Sequence, residues 1–86
     1  MMRLVELRSE SCVVREVNWI SFAALEAPVR ATVKIRHRHE AAAATVEPID
    51  ATSARVNFEL PQRAITPGQA SVFYSGDVVL GGGWIR

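Results

Sequence analysis

Apolar and polar residues alternate one by one along most of this chain, and no stretch repeats with the 3.6-residue period of a helix. Arg30 to Arg38 is the clearest case. Successive side chains of a strand point to opposite faces, so Ala31, Val33, Ile35 and His37 share one face and Thr32, Lys34, Arg36 and Arg38 the other. Ala54 to Leu60 alternates likewise, with Val56, Phe58 and Leu60 expected inward. Pro61 is expected to end that strand, because proline brings no donor to the ladder. Shorter candidates are Leu4 to Leu7 and Ser11 to Val14, with Arg8-Ser9-Glu10 as the turn between them and Asn18 to Ser21 leading out. Phe22 to Pro28 favours a helix locally but is too short to stand as one, and reads as a loop. The four alanines 41–44 are too few for a helix so close to Pro48, and Thr45-Val46-Glu47 reads as the start of another strand.

The last quarter is punctuated by glycine. Pro67-Gly68 has the residues of a type II turn. Ser71 to Tyr74 and Val78 to Leu80 flank Ser75-Gly76-Asp77, a loop length suited to a hairpin. Gly81-Gly82-Gly83 is expected to bend the chain before Trp84 and Ile85. About six short strands separated by turn residues predict an all-β domain, as a small closed antiparallel barrel or a sandwich. The barrel is favoured, because closure removes exposed edges and a terminal run of glycines suits a tight corner.

Composition fits this picture without sharpening it. Eighty-six residues, 49% hydrophobic and 22% charged, make a single domain over 1–86 with one small core. No apolar run approaches the ~20 residues that cross a bilayer, and the N-terminus lacks a secretory pattern, so no membrane partner and a cytoplasmic location are expected. Net charge is +1, so any case for nucleic acid must come from local clustering. Cys12 is the only cysteine and reads as a small buried hydrophobe rather than a nucleophile.

Candidate chemistry is sparse. No G-x-x-x-x-G-K-S/T loop is present, and the glycine triplet precedes too few residues for a phosphate-binding helix. His37 and His39 share a face, but no further Cys or His completes a tetrahedral metal site. Lys34, Arg36 and Arg38 form a one-sided basic row with about 7 Å between neighbours, near the spacing of consecutive phosphates on an RNA strand. The plainer account is a solvated face paired with Glu40, Glu47 or Glu59. Trp19 and Trp84 can stack on bases, although in so small a domain both read first as core.

Four segments carry a resemblance. They are Val17-Asn18-Trp19-Ile20, Lys34-Ile35-Arg36-His37-Arg38, Pro61 to Ala70 and Val72 to Ile85. In order and spacing they resemble the C-terminal domain of the tRNA-specific 2-thiouridylases, also called tRNA (5-methylaminomethyl-2-thiouridylate)-methyltransferases. The resemblance implies a β-barrel similar to the second domain of translation elongation factors. It implies membership of a sulfurtransferase (EC 2.8.1 type) that activates the wobble uridine with ATP, and Mg2+, and replaces its C2 oxygen with persulfide sulfur. The catalytic pyrophosphatase-loop domain, with its S-G-G-x-D-S loop and two cysteines, has no counterpart among these residues, so the chain alone is expected to hold no catalytic residue, cofactor or metal. Implied partners are tRNA, the catalytic domain of the same enzyme and a sulfur-relay donor protein. The family's RNA contacts fall on Arg36, His37 and Gln69, with His37 standing where the family usually has tyrosine. Lys34, Arg38 and Arg63 join them on charge alone. Two other roles are compatible: a structural lid on the catalytic domain, and an independent translation-factor-like barrel.

Overall fold

The computed structural model describes residues 8–35, 41–63 and 67–86. They form six strands: β1 (Arg8–Trp19), β2 (Val29–Ile35), β3 (Ala42–Asp50), β4 (Ser53–Arg63), β5 (Ala70–Ser75) and β6 (Val78–Ile85). All neighbours run antiparallel, and the order β1-β4-β3-β2-β5-β6 closes on itself through β6 and β1. The expected closed barrel is what forms.

Period-two alternation builds its core. On β2, Ala31, Val33 and Ile35 are buried while Thr32 and Lys34 are exposed. Val14, Val46, Val56, Phe73 and Ile85 meet them inside, each almost wholly removed from solvent. The glycines of the turn before β5 and of the β5–β6 hairpin behave as their turns demand. Gly68 has φ 91°, as the third residue of a type II turn requires, and Gly76 has φ 59°. The β5–β6 turn is one residue tighter than expected. Ser75 pairs directly with Val78, leaving Gly76-Asp77 as a two-residue loop with glycine first, the type II′ arrangement.

Several expectations are overturned. Arg8-Ser9-Glu10 is not a turn: Arg8 and Ser9 pair with Arg63 and Gln62, and the strand runs unbroken to Trp19. That stretch contains no glycine, proline or asparagine to reverse the chain, and β4 offers partners to Arg8 and Ser9. Leu4 to Leu7 lie outside the described residues. Strand β3 starts at Ala42 rather than at Thr45, because Ala42, Ala43 and Ala44 pair with Val33, Thr32 and Ala31. Pairing outweighs the helical preference of isolated alanines.

Strand β4 does not stop at Pro61, and Leu60 does not point inward; it is 73% exposed. The ladder steps from Ser9↔Gln62 to Ser11↔Asn57, so residues 58–61 bulge opposite the single residue Glu10. Within such a bulge the alternation is re-phased, and proline loses no ladder bond. The Gln62 amide donates to the Leu60 carbonyl at 2.8 Å and steadies the bulge.

The glycine triplet is the most informative correction. Gly81, Gly82 and Gly83 do not bend the chain; they lie inside β6, and none has a positive φ. Their role is spatial. A Cβ at Gly81 would lie 2.6 Å from the Asn18 carbonyl oxygen, one at Gly82 2.7 Å from that of Ser71, and one at Gly83 2.5 Å from that of Arg15. Strand β6 is thus wedged between the backbones of β1 and β5 where no side chain fits. On the β1 side the register shifts between Arg15 and Asn18, and Glu16 there has φ 53°.

The barrel has two ends. At one, β2 and β4 finish, β3 and β5 begin, and β6 ends. At the other lie the loop after Trp19, the β3–β4 turn and the β5–β6 turn. Asp50 orders the β3–β4 turn, its carboxylate accepting from the Thr52 amide at 2.9 Å, and Thr52 in turn accepts from the Val17 amide at 2.8 Å.

Candidate nucleic-acid interface

Lys34 sits on the outer face of β2, exposed, opposite Val72 of β5. Along the same face Thr32 lies opposite Tyr74, and Arg30 completes the row. Two of the carboxylates that the plainer reading names, Glu47 and Glu59, are engaged elsewhere, and Glu40, Arg36 and Arg38 lie outside the described residues. Arg30 bonds Glu59, and Glu47 accepts instead from the Asn57 amide. Among the described residues no carboxylate pairs with Lys34. The Arg30–Glu59 pair is solvent-exposed and adds little to stability.

Gln69 follows the Pro67-Gly68 turn and leads directly into β5. Its carbonyl accepts from the Ile85 amide at 2.8 Å, while the Ile85 carbonyl accepts from the Gly68 amide at 2.7 Å. This exchange pins the turn against the last residues of β6. Lys34 and Gln69, far apart in sequence, therefore lie at the same end of the barrel, Lys34 beside Val72 and Gln69 immediately before Ala70. The backbone of Arg63 also lies at that end, paired with Arg8. Arg36, His37 and Arg38, with His39 and Glu40, lie outside the described residues, as does the side chain of Arg63.

The other sequence candidates resolve without chemistry. Cys12 is half-buried on β1, and burial pushes its thiol up to about 11, so it is protonated at neutral pH and a poor nucleophile. The wedge around the glycine triplet leaves no cradle for phosphate. No cluster of three metal-ligating side chains occurs among the described residues. An open groove of about 240 Å³ runs along the outer face beside Arg30, Thr32, Ala43 and Tyr74.

The two tryptophans separate. Trp19 packs against the core, its ring 5.3 Å from that of Phe22 and 5.6 Å from that of Phe73. Trp84 is not core: it is 45% exposed on the outer face of β6, between Arg15 of β1 and Ala70 of β5. Strand parity carried that signal. Ile85 points inward, so Trp84 must point out.

Residues 9–85 match the family model described as the aminomethyltransferase β-barrel domain. The tRNA-specific 2-thiouridylase of Acidobacterium capsulatum is 56% identical over 84 residues, covering 93% of this chain and 22% of that protein. The corresponding enzyme of Solibacter usitatus is 60% identical over 75 residues, covering 84% and 20%, and that of Koribacter versatilis 50% over 80 residues, covering 93% and 22%. The chain belongs to the tRNA-specific 2-thiouridylase family, as its C-terminal β-barrel domain. It spans about a fifth of the length of these thiouridylases. No helix among the described residues is long and apolar enough to cross a membrane.

Proposed function

We propose that this barrel is the tRNA-contacting module of a tRNA-specific 2-thiouridylase. In this reading the longer cytoplasmic enzyme uses ATP, with Mg2+, and sulfur delivered as a persulfide by a donor protein to thiolate the wobble uridine. Those steps belong to a catalytic domain outside these residues. The barrel contributes positioning: Lys34 as a point charge for a phosphate, Gln69 as an amide that both donates and accepts, and Arg36 and His37 as the family's RNA-contacting pair. Arg38 and Arg63 add charge.

The observation that carries the reading is the placement of Lys34 and Gln69 at the same end of a domain about half identical to thiouridylase sequences. Few phosphate contacts are available, so the isolated chain binds tRNA weakly and with strong salt dependence. The test uses the complete enzyme. Lys34→Ala, Arg36→Ala and Gln69→Ala are each expected to weaken tRNA binding severalfold while leaving the melting temperature unchanged. Lost stability with unchanged tRNA affinity contradicts it. Mixing the isolated chain with tRNA, ATP and a sulfur donor is expected to yield no 2-thiouridine.

A second reading, a structural lid on the catalytic domain, has one observation in its favour. Ile20, Ile49 and Val78 are all largely exposed, and all lie at the barrel end opposite Lys34 and Gln69. Three exposed apolar side chains at that end suit a protein neighbour, although Leu60 and Trp84 are exposed towards the other. Both roles fit one barrel, RNA at one end and protein at the other.

A further inference from the structure

We propose that Trp84 is a stacking platform for an unpaired RNA base, an extension of the RNA-facing end that rests on the tRNA-binding reading above. The starting point is a large aromatic residue that the core does not use. Trp84 projects from β6 between two inward residues, Gly83 and Ile85, and stays 45% exposed although strands flank it on both sides.

Its neighbours explain the exposure. Ala70, directly opposite on β5, offers only a methyl group. Gly82, two residues back and therefore the next outward position of β6, offers no side chain. The wedge that removes Cβ atoms from β6 thus also clears the space beside the indole. An aromatic ring bordered by alanine and glycine on a sheet surface has the form of a stacking site, and every nucleobase has a π-face to lay on it.

Charge supports RNA as the occupant. Arg15 stands directly opposite Trp84 on β1, exposed, and among the described residues it makes no ion pair. Asn18, exposed and opposite Gly82, adds an amide. On the other side the surface continues through Val72 to Lys34, and Gln69 directly precedes Ala70. Glu16, in the β1 bulge, is the acidic neighbour on this face. An aromatic ring with cations on two sides and an amide between suits a single strand, whose phosphates pass Arg15 and Lys34 while a base covers the ring.

The two tryptophans make the test spectroscopic. The full 86-residue chain is titrated with an anticodon stem-loop RNA at low salt, following both RNA anisotropy and tryptophan emission. A Trp19→Phe chain leaves Trp84 as the single indole; should it fail to fold, a Trp84→Phe chain supplies the Trp19-only spectrum for subtraction. Trp84 emission is expected to be quenched with the same midpoint as the anisotropy change. Trp84→Ala and Trp84→Leu are expected to weaken binding about tenfold and Trp84→Phe less than threefold, since stacking needs a ring and not merely an apolar group. RNA that binds without quenching, and equally well to Trp84→Ala, overturns the platform, while Lys34→Ala still weakening it leaves the tRNA-binding reading standing. A duplex of equal length that binds as tightly as the loop also overturns it, because paired bases cannot stack on the ring. No binding of RNA to the chain overturns both.

Discussion

The β5–β6–β1 seam and the outer row of β2 are both regular antiparallel sheet, yet they are specified by opposite means. At the seam, Gly81, Gly82 and Gly83 remove side chains so that three backbones approach within limits no Cβ would meet. On β2, Lys34 adds an exposed charge that no carboxylate among the described residues pairs, while Thr32 beside it donates to the Tyr74 carbonyl. A position defined by what it lacks serves architecture. A position bearing an exposed charge without an internal partner is available for binding. Trp84 stands where the two meet, since clearing the seam also uncovers its ring.

If the seam is defined by absence, filling it is the largest available perturbation. Gly83→Val drives a branched side chain into the Arg15 carbonyl and the Val14 side chain, and is expected to cost at least ~3 kcal/mol, enough to unfold a domain this small. Gly81→Ala and Gly82→Ala are milder, at about 1–3 kcal/mol by denaturant melts. Gly82→Ala within 0.5 kcal/mol of wild type would break the comparison at once.

Glu16 sharpens it. It holds φ 53° in the β1 bulge beside the seam, a conformation asparagine and glycine adopt more easily. Glu16→Gly is expected to stabilise the fold by up to ~1 kcal/mol and Glu16→Asn by a similar amount, and both remove a negative charge near Arg15, tightening RNA binding a few-fold. Ser71 is the seam's other irregularity. Its hydroxyl is buried with no partner among the described residues, so Ser71→Ala is expected to be neutral or stabilising by ~1 kcal/mol.

Lys34→Ala reads the opposite region, with a melting-point change near zero and a weaker RNA affinity that converges on wild type as salt rises. The smallest effect is one of pH. Burial raises the Cys12 thiol from 9.0 to about 11, so the fold favours the neutral form. The stability this contributes is complete below pH 9 and fades as pH climbs towards 11, and Cys12→Ala is expected to flatten that alkaline decline.

Much of this was legible in the chain because period-two alternation is local. Val33 and Ile35 against Lys34 declared the inner and outer faces of β2, Pro67-Gly68 declared its turn, and Ser75-Gly76-Asp77 declared the hairpin one residue too wide. What stayed hidden depends on pairing. Leu60 follows the inward parity of Val56 and Phe58, and only the bulge opposite Glu10 turns it out. The glycine triplet announced that something special occurs, but whether it bends the strand or lets backbones close in is a property of β1 and β5 as much as of β6. Lys34 and Gln69 were each picked out separately, one by charge and one by resemblance. Their placement at one end follows from β2 pairing with β5, which no local pattern encodes. Trp84 reads as core because the domain is so small, and only the burial of Ile85 in the structure fixes that it points out.

In the proposed mode RNA meets the end of the barrel carrying Lys34 and Gln69, together with the face carrying Trp84. Amide chemical-shift mapping of the 86-residue chain titrated with an anticodon stem-loop tests it most directly. The account predicts that the largest changes gather at Lys34, Gln69, Val72 and Trp84, with the indole N–H of Trp84 moving and that of Trp19 still. Changes centred instead on the opposite end, at Asp50 to Ser53 and around Gly76, would contradict it.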